Sequence, residues 1–474
     1  MPMNLKKKLT AVLAAVLALI ALPVGALAAF SSTLLANPTY SFTENGFTYT
    51  EQELNEGGVQ KLFYGEYNAT DPNAEYEWVI HSIRNGSKTT LTTVMDIAKD
   101  YEQTTGRKVM FAANGDYFDF GSGSNMESYV NNGVVVSKGS FATKHCIGFD
   151  NAGKVVVGRM TEVERRLMVV VDGQPTFLPI HHINEEPGEN EISIYITPGT
   201  YTIAGAGKYV CATDATNMNN FPVYGTSRRM STGSVTNDDA FTLRSGQFAV
   251  VVKGEHAQFL FDKVVYGVEV NLVELPAGAY AGCTWVLGGY DILVDNGTVN
   301  TNCHTDNSGN ANAPRTFIGF KEDGTGFICM VDGRQSGYSV GITVNKEAEL
   351  AKALGAVYAL ELDGGGSTTA IVRINDTLTL RNQPSDGSMR RVSNAIMLVE
   401  KEKVQEPETP PTEPTEPTTP ATQPTAPTPP ATQPTEPVQS SVSPTAVMAI
   451  AVIGGLVGVA VIALIVLAVI KPKK

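Results

Sequence analysis

The sequence predicts an α+β fold with mixed or antiparallel β-sheets and a few packed helices. Short runs rich in valine and other strand-forming residues dominate the middle of the chain, as at 134–136, 167–171, 248–252 and 327–331. Glycine, asparagine and aspartate turns bound most of these runs, which is typical of short strands. Strands with occasional helices between them indicate the α+β class.

Two stretches have the apolar spacing of a helix. Residues 90–103 place apolar side chains at helical intervals, and residues 346–354 form an amphipathic pattern. Gly355 follows the second stretch at a position where helices commonly end. We therefore expect two helices, each packed on a sheet.

Both ends of the chain carry targeting patterns. Three lysines precede an apolar run and an Ala-Leu-Ala sequence, which predicts a signal peptide over residues 1–28. Residues 445–470 are apolar and long enough to cross a bilayer, and the basic tail 471–474 follows them. We expect a single-pass protein of the cell membrane with an extracellular N-terminal domain. An uncleaved N-terminal segment acting as a second anchor is the alternative.

A proline- and threonine-rich segment lies between the folded part and the predicted span. Residues 404–444 contain 13 of the 26 prolines of the chain, which predicts a disordered, extended stalk. Residues 29–76 give little signal and are interpreted as an N-terminal extension. The main folded domain is therefore expected at residues 77–403.

Charge and cysteine content exclude several classes of protein. The net charge is −13 and the folded part has no basic stripe, so we expect no nucleic-acid partner. The five cysteines show no zinc-ligand spacing. A disulfide between Cys283 and Cys303 stays open, although buried free thiols are favoured. The histidines form no metal-binding pattern either, so we expect no required metal and no cofactor.

The segment 359–369 is the most informative stretch of the chain. On a strand, Glu361 and Asp363 share one face because side chains alternate with period two. Three glycines follow at 364–366, and then the hydroxyl side chains of Ser367 and Thr368. Such a segment is typical of the rim of an active site. The alternative is an ordinary strand end with both acids in solvent.

Four segments taken in order resemble the phosphodiester glycosidase family. They are 113–118 (Ala-Asn-Gly-Asp-Tyr-Phe), 314–319 (Pro-Arg-Thr-Phe-Ile-Gly), 331–337 around Val-Asp-Gly-Arg, and 359–369 with the later Arg-Val-Ser-Asn-Ala-Ile at 391–396. Asp116 departs from the second glycine of the family's Asn-Gly-Gly pattern. The resemblance covers about 90–400, so residues 77–403 are interpreted as a phosphodiester glycosidase-like domain.

This resemblance implies a hydrolase that cleaves the glycosidic C–O bond of sugar-1-phosphodiesters and releases free sugar and a phosphomonoester. Glycoside cleavage generally uses two carboxyl groups. We expect Asp363 to act as nucleophile or base and Glu361 to carry a proton or position water. Asp332 is an alternative for either role. The coupled carboxyls would have shifted pKa values.

The expected substrate contacts come from the same four segments. Arg315 and Arg334 are predicted to bind the phosphate as planar forks, or else to pair with neighbouring acids. Asn114 is predicted to donate to a sugar hydroxyl or phosphate oxygen, or else to be a turn residue. Asp116 adds a polar contact.

The glycine-rich turn is predicted to form a nest of amides and hydroxyls around the phosphate, from Gly364, Gly365, Gly366, Ser367 and Thr368. Two other functions stay open at this point. One is a non-catalytic glycan-binding or envelope-organising surface protein, and the other is a metal-dependent phosphodiesterase.

Overall fold

The computed structural model describes residues 37–402, apart from residues 56, 86–87, 140–143, 204–206, 213–239, 245–246, 256–262, 264–269 and 305–308. The predicted signal peptide, stalk, membrane span and basic tail lie outside the described residues and stay predictions. Within the described ranges, the helices are all too short or too polar to cross a bilayer.

The protein is mainly β, so the predicted α+β class is wrong. The described chain contains 29 strands in seven sheets and two α-helices with defined bounds. Both predicted helices exist, but each is short and lies on a sheet without forming a helical layer of its own. Many strands are only two to six residues long. The alternation of polar and apolar residues that identifies a strand in a sequence therefore covers too few positions to be recognised in them.

The helices are α1 (Val94–Thr105) and α2 (Val344–Ala353), and single 3-10 turns lie at Gly278–Tyr280 and Gly365–Ser367. The strands, in chain order, are β1 (Tyr40–Glu44), β2 (Phe47–Asn55), β3 (Val59–Tyr67), β4 (Tyr76–His81), β5 (Arg84–Asn85), β6 (Lys88–Thr89), β7 (Val109–Asn114), β8 (Tyr129–Asn131), β9 (Val134–Ser137), β10 (Cys146–Phe149), β11 (Val155–Gly158), β12 (Val163–Val171), β13 (Gln174–Pro179), β14 (His182–Ile183), β15 (Ile192–Tyr195), β16 (Gly199–Thr202), β17 (Gly207–Ala212), β18 (Ala240–Leu243), β19 (Gln247–Val252), β20 (Val270–Pro276), β21 (Trp285–Gly288), β22 (Ile292–Asp295), β23 (Thr298–Val299), β24 (Arg315–Phe320), β25 (Gly326–Val331), β26 (Tyr358–Glu361), β27 (Ala370–Ile374), β28 (Thr377–Leu380) and β29 (Ala395–Glu400).

The largest sheet has eight strands in the order β1-β2-β3-β25-β24-β26-β22-β23. Its central strands are apolar on both faces, because each face of the sheet packs against an apolar core. In β24, Phe317 packs in the core beneath α2, whereas Ile318 and Phe320 pack in the larger core on the other face. This period-two division of side chains fixes the register of the strand that begins with Arg315.

A second sheet, with the order β28-β27-β7-β29-β4, shares the larger core with the eight-stranded sheet. Its central strand β7 is buried along its whole length and ends at Asn114. The remaining sheets include β11-β10-β21-β8-β9 and the smaller sheets formed by β12 to β20. Those smaller sheets have separate apolar cores of their own.

Both helices begin at a threonine cap. Thr93 accepts a hydrogen bond from the backbone N–H of Asp96, and Thr343 accepts one from Lys346. Helix α1 ends at Gly106 in the left-handed conformation, and Gly355, with φ of 97°, follows α2 as predicted. Each helix is therefore defined by local sequence, within a few residues of its predicted bounds.

The segment interpreted as an N-terminal extension is part of the main sheet. Strands β1 to β3 cover most of residues 40–67, and β3 pairs with β25 along its length, from Tyr67 opposite Gly326 to Leu62 opposite Val331. The four cysteines whose side chains are described, at 146, 283, 303 and 329, are buried and free. Cys283 and Cys303 therefore do not form the disulfide that had stayed open.

Candidate active site

The two main sheets meet where β7 and β26 end. The backbone N–H of Asp363 donates to the carbonyl oxygen of Gly115 over 3.1 Å, and the N–H of Leu362 donates to Thr316 over 2.8 Å. Asn114, Glu361 and Asp363 are thereby brought together from segments about 250 residues apart. This junction is the candidate active site.

Glu361 lies at the end of β26 and is 1% exposed. Its Oε1 accepts hydrogen bonds from Arg315 Nη1 and from the Tyr117 hydroxyl, each over 3.2 Å. Its Oε2 makes no hydrogen bond with the described residues. Burial raises the pKa of Glu361 to about 7, although the charges of Arg315 and His304 oppose the rise. Near neutral pH this carboxyl can therefore hold or release a proton.

An aspartate–histidine pair lies against Glu361. His304 Nδ1 is 2.8 Å from Asp291 Oδ2 and 3.6 Å from Glu361 Oε2. Burial raises the pKa of Asp291, but hydrogen bonds from the side chain and backbone of His304 outweigh it and hold that pKa below its ordinary value. Ligand atoms of Asp291, His304 and Glu361 lie within 4.8 Å of one another, so they could hold a cation. The expectation that no metal is required stays a prediction.

Asp363 follows β26 and is partly exposed. Burial raises its pKa to about 6, while a hydrogen bond from Ser367 and the charge of Arg390 oppose the rise. Its carboxyl thus ionises before that of Glu361 as pH rises. Burial therefore raises the pKa of both carboxyls toward neutrality, and the pKa of Asp363 is the lower of the two.

Tyr117 donates a hydrogen bond to Glu361 and lies within the electrostatic influence of Asp363. Burial raises its pKa well above the ordinary value, and the charges of Glu361 and Asp363 add to the rise. The phenol therefore stays protonated and can donate. Tyr117 belongs to the Asn-Gly-Asp-Tyr-Phe segment, but the sequence gives no sign that its hydroxyl meets Glu361.

Glu347 is a second buried acid that sequence reasoning missed. It lies on α2, is 0% exposed, and neither carboxyl oxygen has a hydrogen-bond partner among the residues that the structure describes. Burial raises its pKa well above the ordinary value, and the charge of Glu361 raises it further. A carboxyl in such a place is held neutral. Glu347 therefore adds no negative charge to the site at neutral pH.

The guanidinium of Arg315 contacts protein groups and does not face solvent. Its Nε donates to the carbonyl oxygen of Ile342 over 3.1 Å, and its Nη2 to that of Ala311 over 3.1 Å. Together with the bond to Glu361, these contacts match the alternative in which the arginine pairs with a neighbouring acid. A phosphate contact by Arg315 stays an untested prediction.

Two other arginines lie against the glycine-rich turn. A Cβ on Gly365 would lie 3.1 Å from Arg334 Nη1, and one on Gly366 would lie 2.2 Å from Arg390 Nη2. Arg334 is exposed and makes no ion pair with the described residues. Arg390 pairs with Asp386 over 2.7 Å, and its Nη1 lies 3.4 Å from Ser367 Oγ. Arg390 was missed because only its neighbour Arg391 belongs to the recognised segment.

The glycine turn itself is only partly open to a ligand. The N–H groups of Gly365, Ser367 and Thr368 already donate to backbone carbonyls within or beside the turn. Ser367 and Thr368 are 0% exposed, and Thr368 Oγ1 bonds to Thr316. The left-handed φ of 61° at 365 favours glycine there. The two arginines lie close to the turn, and few of the turn's own backbone N–H groups remain available to a ligand.

Asn114 and Asp116 lie beneath the site surface. The Asn114 amide donates to the carbonyl oxygen of Asp363 over 2.5 Å, and its Oδ1 accepts from Thr316 Oγ1 and Thr369 N, each over 3.1 Å. Asp116 is 1% exposed, and burial raises its pKa well above the ordinary value. Both residues lie on the buried side of the site and support it. Their predicted substrate contacts stay untested.

Asp332 lies apart from the two carboxyls. Its carboxyl oxygens accept hydrogen bonds from Asn382 Nδ2 and Gln383 N over 2.8 Å and from the Tyr338 hydroxyl over 3.1 Å. This set of donors holds the Asp332 carboxyl in place, and its predicted catalytic role stays a prediction. It is not paired with Arg334, and neither Glu361 nor Asp363 is among its hydrogen-bond partners.

Comparison with known proteins agrees with the resemblance recognised in the motifs. Residues 211–399 match the model of the phosphodiester glycosidase family. This region contains Arg315, Arg334, Glu361, Asp363 and the glycine turn, and it leaves out the Asn114 segment. No curated protein shows significant sequence similarity to the chain.

Solved structures show weaker likeness. A hypothetical protein from Synechocystis is 17% identical, with a TM-score of 0.46, over 77% of this chain and 64% of that one. The chain thus spans less than two thirds of that relative. The zebrafish N-acetylglucosamine-1-phosphodiester α-N-acetylglucosaminidase catalytic domain, auto-inhibited by its pro-peptide, is 14% identical with a TM-score of 0.37, over 77% of this chain and 86% of that one.

Proposed function

We propose that this chain, whose residues 211–399 match the phosphodiester glycosidase family, hydrolyses the glycosidic C–O bond of sugar-1-phosphodiesters. The products are free sugar and a phosphomonoester. The observation that carries the proposal is the pair of carboxyls at Glu361 and Asp363, with pKa values raised to about 7 and about 6 beside one phenol, that of Tyr117. Such unequal carboxyls are what glycoside cleavage uses.

The chemistry follows from the ionisation of each group. Asp363 is the more acidic and more exposed carboxyl, so its carboxylate serves as nucleophile or as the base that takes a proton from water. The bond between the anomeric carbon and the phosphate oxygen breaks, and that oxygen leaves with the electron pair. The oxygen of water ends on the anomeric carbon. Glu361 holds a proton near neutral pH and can deliver it to the departing phosphate or position the water.

Arg334 and Arg390 provide the positive charge for the phosphate. A phosphodiester carries one negative charge, and a guanidinium can donate two parallel hydrogen bonds to its oxygens. Arg334 has no acidic partner among the described residues, whereas Arg390 is ion-paired with Asp386. Arg334 is therefore the main contact and Arg390 the secondary one.

Hydrolysis in isotopically labelled water tests this proposal. The purified protein is incubated with a sugar-1-phosphodiester in ¹⁸O water, and both products are analysed by mass spectrometry. We expect the label in the released sugar, since the C–O bond breaks. Label in the phosphate would indicate a phosphodiesterase. No release from any sugar phosphodiester would favour a non-catalytic glycan-binding protein.

We also propose that the enzyme acts outside the cell, held by its C-terminal apolar segment. The support is compositional: a signal-like leader at 1–28, a threonine- and proline-rich segment at 404–444 and an apolar stretch at 445–470. Protease added to intact cells should remove the domain while the C-terminal tail stays protected. Protection of the whole chain until the cells are lysed would contradict this location.

A further inference from the structure

The two carboxyl oxygens of Glu361 have different surroundings. Oε1 accepts hydrogen bonds from Arg315 and Tyr117, each over 3.2 Å. Oε2 is buried and makes no hydrogen bond with the residues that the structure describes. The imidazole of His304 lies beside it, with Nδ1 3.6 Å away. A buried carboxyl oxygen without a hydrogen bond costs free energy, so this atom is available to a further ligand.

The backbone holds Asp291, His304 and Glu361 together. The N–H of Glu361 donates to the carbonyl oxygen of Asp291 over 2.9 Å, next to the pairing of β22 with β26. The backbone N–H of His304 donates to Asp291 Oδ2, which keeps that carboxyl beside the imidazole. The Tyr290 ring packs on the imidazole, with 4.3 Å between the ring centroids. The three side chains are therefore oriented before any ligand binds.

The distances between these side chains suit one small cation. His304 Nδ1 lies 2.8 Å from Asp291 Oδ2 and 3.6 Å from Glu361 Oε2, and ligand atoms of the three residues lie within 4.8 Å of one another. Tetrahedral zinc has bonds of about 2.0–2.2 Å, which places neighbouring ligand atoms about 3.4 Å apart. Small side-chain movements therefore bring all three atoms to one ion. The ion takes the place of the proton between Nδ1 and Asp291, and that proton passes to solvent.

The donor set favours Zn²⁺ over Ca²⁺ and Mg²⁺. One imidazole nitrogen and two carboxylate oxygens are usual ligands of zinc in proteins. Ca²⁺ takes about six to eight oxygen ligands, and Mg²⁺ requires near-octahedral oxygen ligands, which these three side chains do not supply. The two carboxylates together balance the charge of the ion. The side chains of His304 and Asp291 are 13% and 15% exposed, so an ion can enter from solvent.

We propose that Asp291, His304 and Glu361 form a Zn²⁺ site, and that zinc bound there inhibits the enzyme. The binding of zinc does not depend on the proposed function. The inhibition rests on it, because a Glu361 carboxylate bound to zinc is withdrawn from both roles proposed for it, the delivery of a proton and the positioning of water. Arg315 and Tyr117 contact the other oxygen of Glu361, so the ion displaces neither of them.

Equilibrium dialysis of the purified protein against zinc sulfate tests the site, with zinc measured by mass spectrometry and folding verified by circular dichroism. Wild type should hold one more zinc per chain than His304→Gln. The affinity for that ion should fall by at least about 100-fold, since loss of even a supporting hydrogen bond costs a metal site about 10–100-fold. Asp291→Asn is the second variant and should lose the same ion. Equal zinc content in wild type and a folded variant would overturn the site, and so would displacement of the zinc by equimolar Ca²⁺.

His182→Gln is the matched control. The His182 ring also lies between two carboxyls, 2.8 Å from Glu191 Oε2 and 3.6 Å from Glu185 Oε2. These contacts involve opposite ring nitrogens, Nε2 and Nδ1, so the two acids do not converge on one nitrogen. The Glu185 side chain is also 75% exposed. This variant should hold as much zinc as the wild type.

Hydrolysis of a sugar-1-phosphodiester at increasing zinc concentration tests the inhibition. The rate of the wild type and of His182→Gln should fall over the concentrations at which zinc binds in dialysis, and a chelator should restore it. Zinc bound by a protein that hydrolyses no sugar phosphodiester would leave the site standing while the proposed activity fails. An active enzyme whose rate is unchanged or raised when the site is filled would overturn the inhibition.

Discussion

The side-chain amide of Asn114 donates a hydrogen bond to the backbone carbonyl of Asp363, with 2.5 Å between nitrogen and oxygen. This contact joins the end of β7 to the segment that follows β26, and so ties the two main sheets together at the site. The Asn114 carbonyl oxygen accepts two more hydrogen bonds, from Thr316 and Thr369. A single buried amide therefore fixes the backbone that carries the candidate nucleophile.

Asn114→Asp should destabilise the protein and lower activity. The substitution places a carboxylate oxygen against the Asp363 carbonyl in a fully buried position, and it loses the donor that satisfies this carbonyl. We expect the free energy of unfolding to fall by about 1–3 kcal/mol, measured by urea denaturation. Asn73→Asp, at an exposed turn, is the control and should change stability little. Equal stability of the two variants would argue against this role for Asn114.

Activity should have a bell-shaped dependence on pH. Asp363 must be ionised to act as nucleophile or base, and burial raises its pKa to about 6. Glu361 must be protonated to assist departure, and burial raises its pKa to about 7. The profile of kcat/KM should therefore rise through about pH 6 and fall through about pH 7. A profile that is flat from pH 5 to 8 would contradict these roles.

The free energy of unfolding should fall as pH rises from about 4 to about 7. The ordinary pKa values are 4.5 for glutamate and 3.8 for aspartate, and both are raised in the folded protein. From about pH 4 to 7, the unfolded chain has lost protons that the folded chain keeps, so the free energy of unfolding decreases with pH. Glu361→Gln and Asp363→Asn should each flatten this decrease in thermal denaturation series. Unchanged slopes in both variants would refute the raised pKa values.

Glu347→Gln should stabilise the protein more at pH 8 than at pH 5. The folded state holds Glu347 neutral because burial raises its pKa, while the unfolded chain ionises it and gains hydration. Glutamine removes this penalty because it stays neutral in both the folded and the unfolded state. Glu349→Gln, on the same helix and ion-paired with Lys346 at 2.8 Å, should show no such increase with pH. Denaturation at the two pH values makes the comparison.

Arg334→Lys should weaken substrate binding while the fold stays intact. Lysine keeps the charge but loses the planar fork that meets two phosphate oxygens. We expect KM for a sugar-1-phosphodiester to rise by about tenfold, which corresponds to the loss of a single charge-assisted hydrogen bond. Arg244→Lys, at an exposed position outside the site, should leave KM unchanged. Inhibition by inorganic phosphate should weaken in the Arg334 variant alone.

The sequence was sufficient for those parts of the protein that local pattern determines. Both helices follow from apolar spacing and nearby caps, and the acids at 361 and 363 follow from a strand that breaks into glycines. The fold class was wrong because strands such as β1 to β3 are recognisable only through their partners. Tertiary pairing, here of β3 with β25, decided their structure.

The remaining site residues come from segments that share no spacing with the acids. Asp291 and His304 lie before β22 and after β23, and they reach Glu361 only because β22 pairs with β26. Glu347 looks like one more polar residue of an amphipathic helix until the packing of α2 buries it. The hydrogen bonds of Arg315 to Glu361 and to backbone carbonyls match the predicted alternative in which it pairs with an acid, and its phosphate contact stays a prediction. Such contacts depend on the three-dimensional arrangement, which no local pattern encodes.

The central claim is that Asp363 and Glu361 together break the sugar–phosphate bond. It is tested most directly by the kcat of Asp363→Asn on a sugar-1-phosphodiester, with circular dichroism to verify that the variant is folded. We expect a folded protein whose kcat is lower by on the order of 10³-fold. A folded variant that retains kcat within about tenfold of the wild type would contradict it.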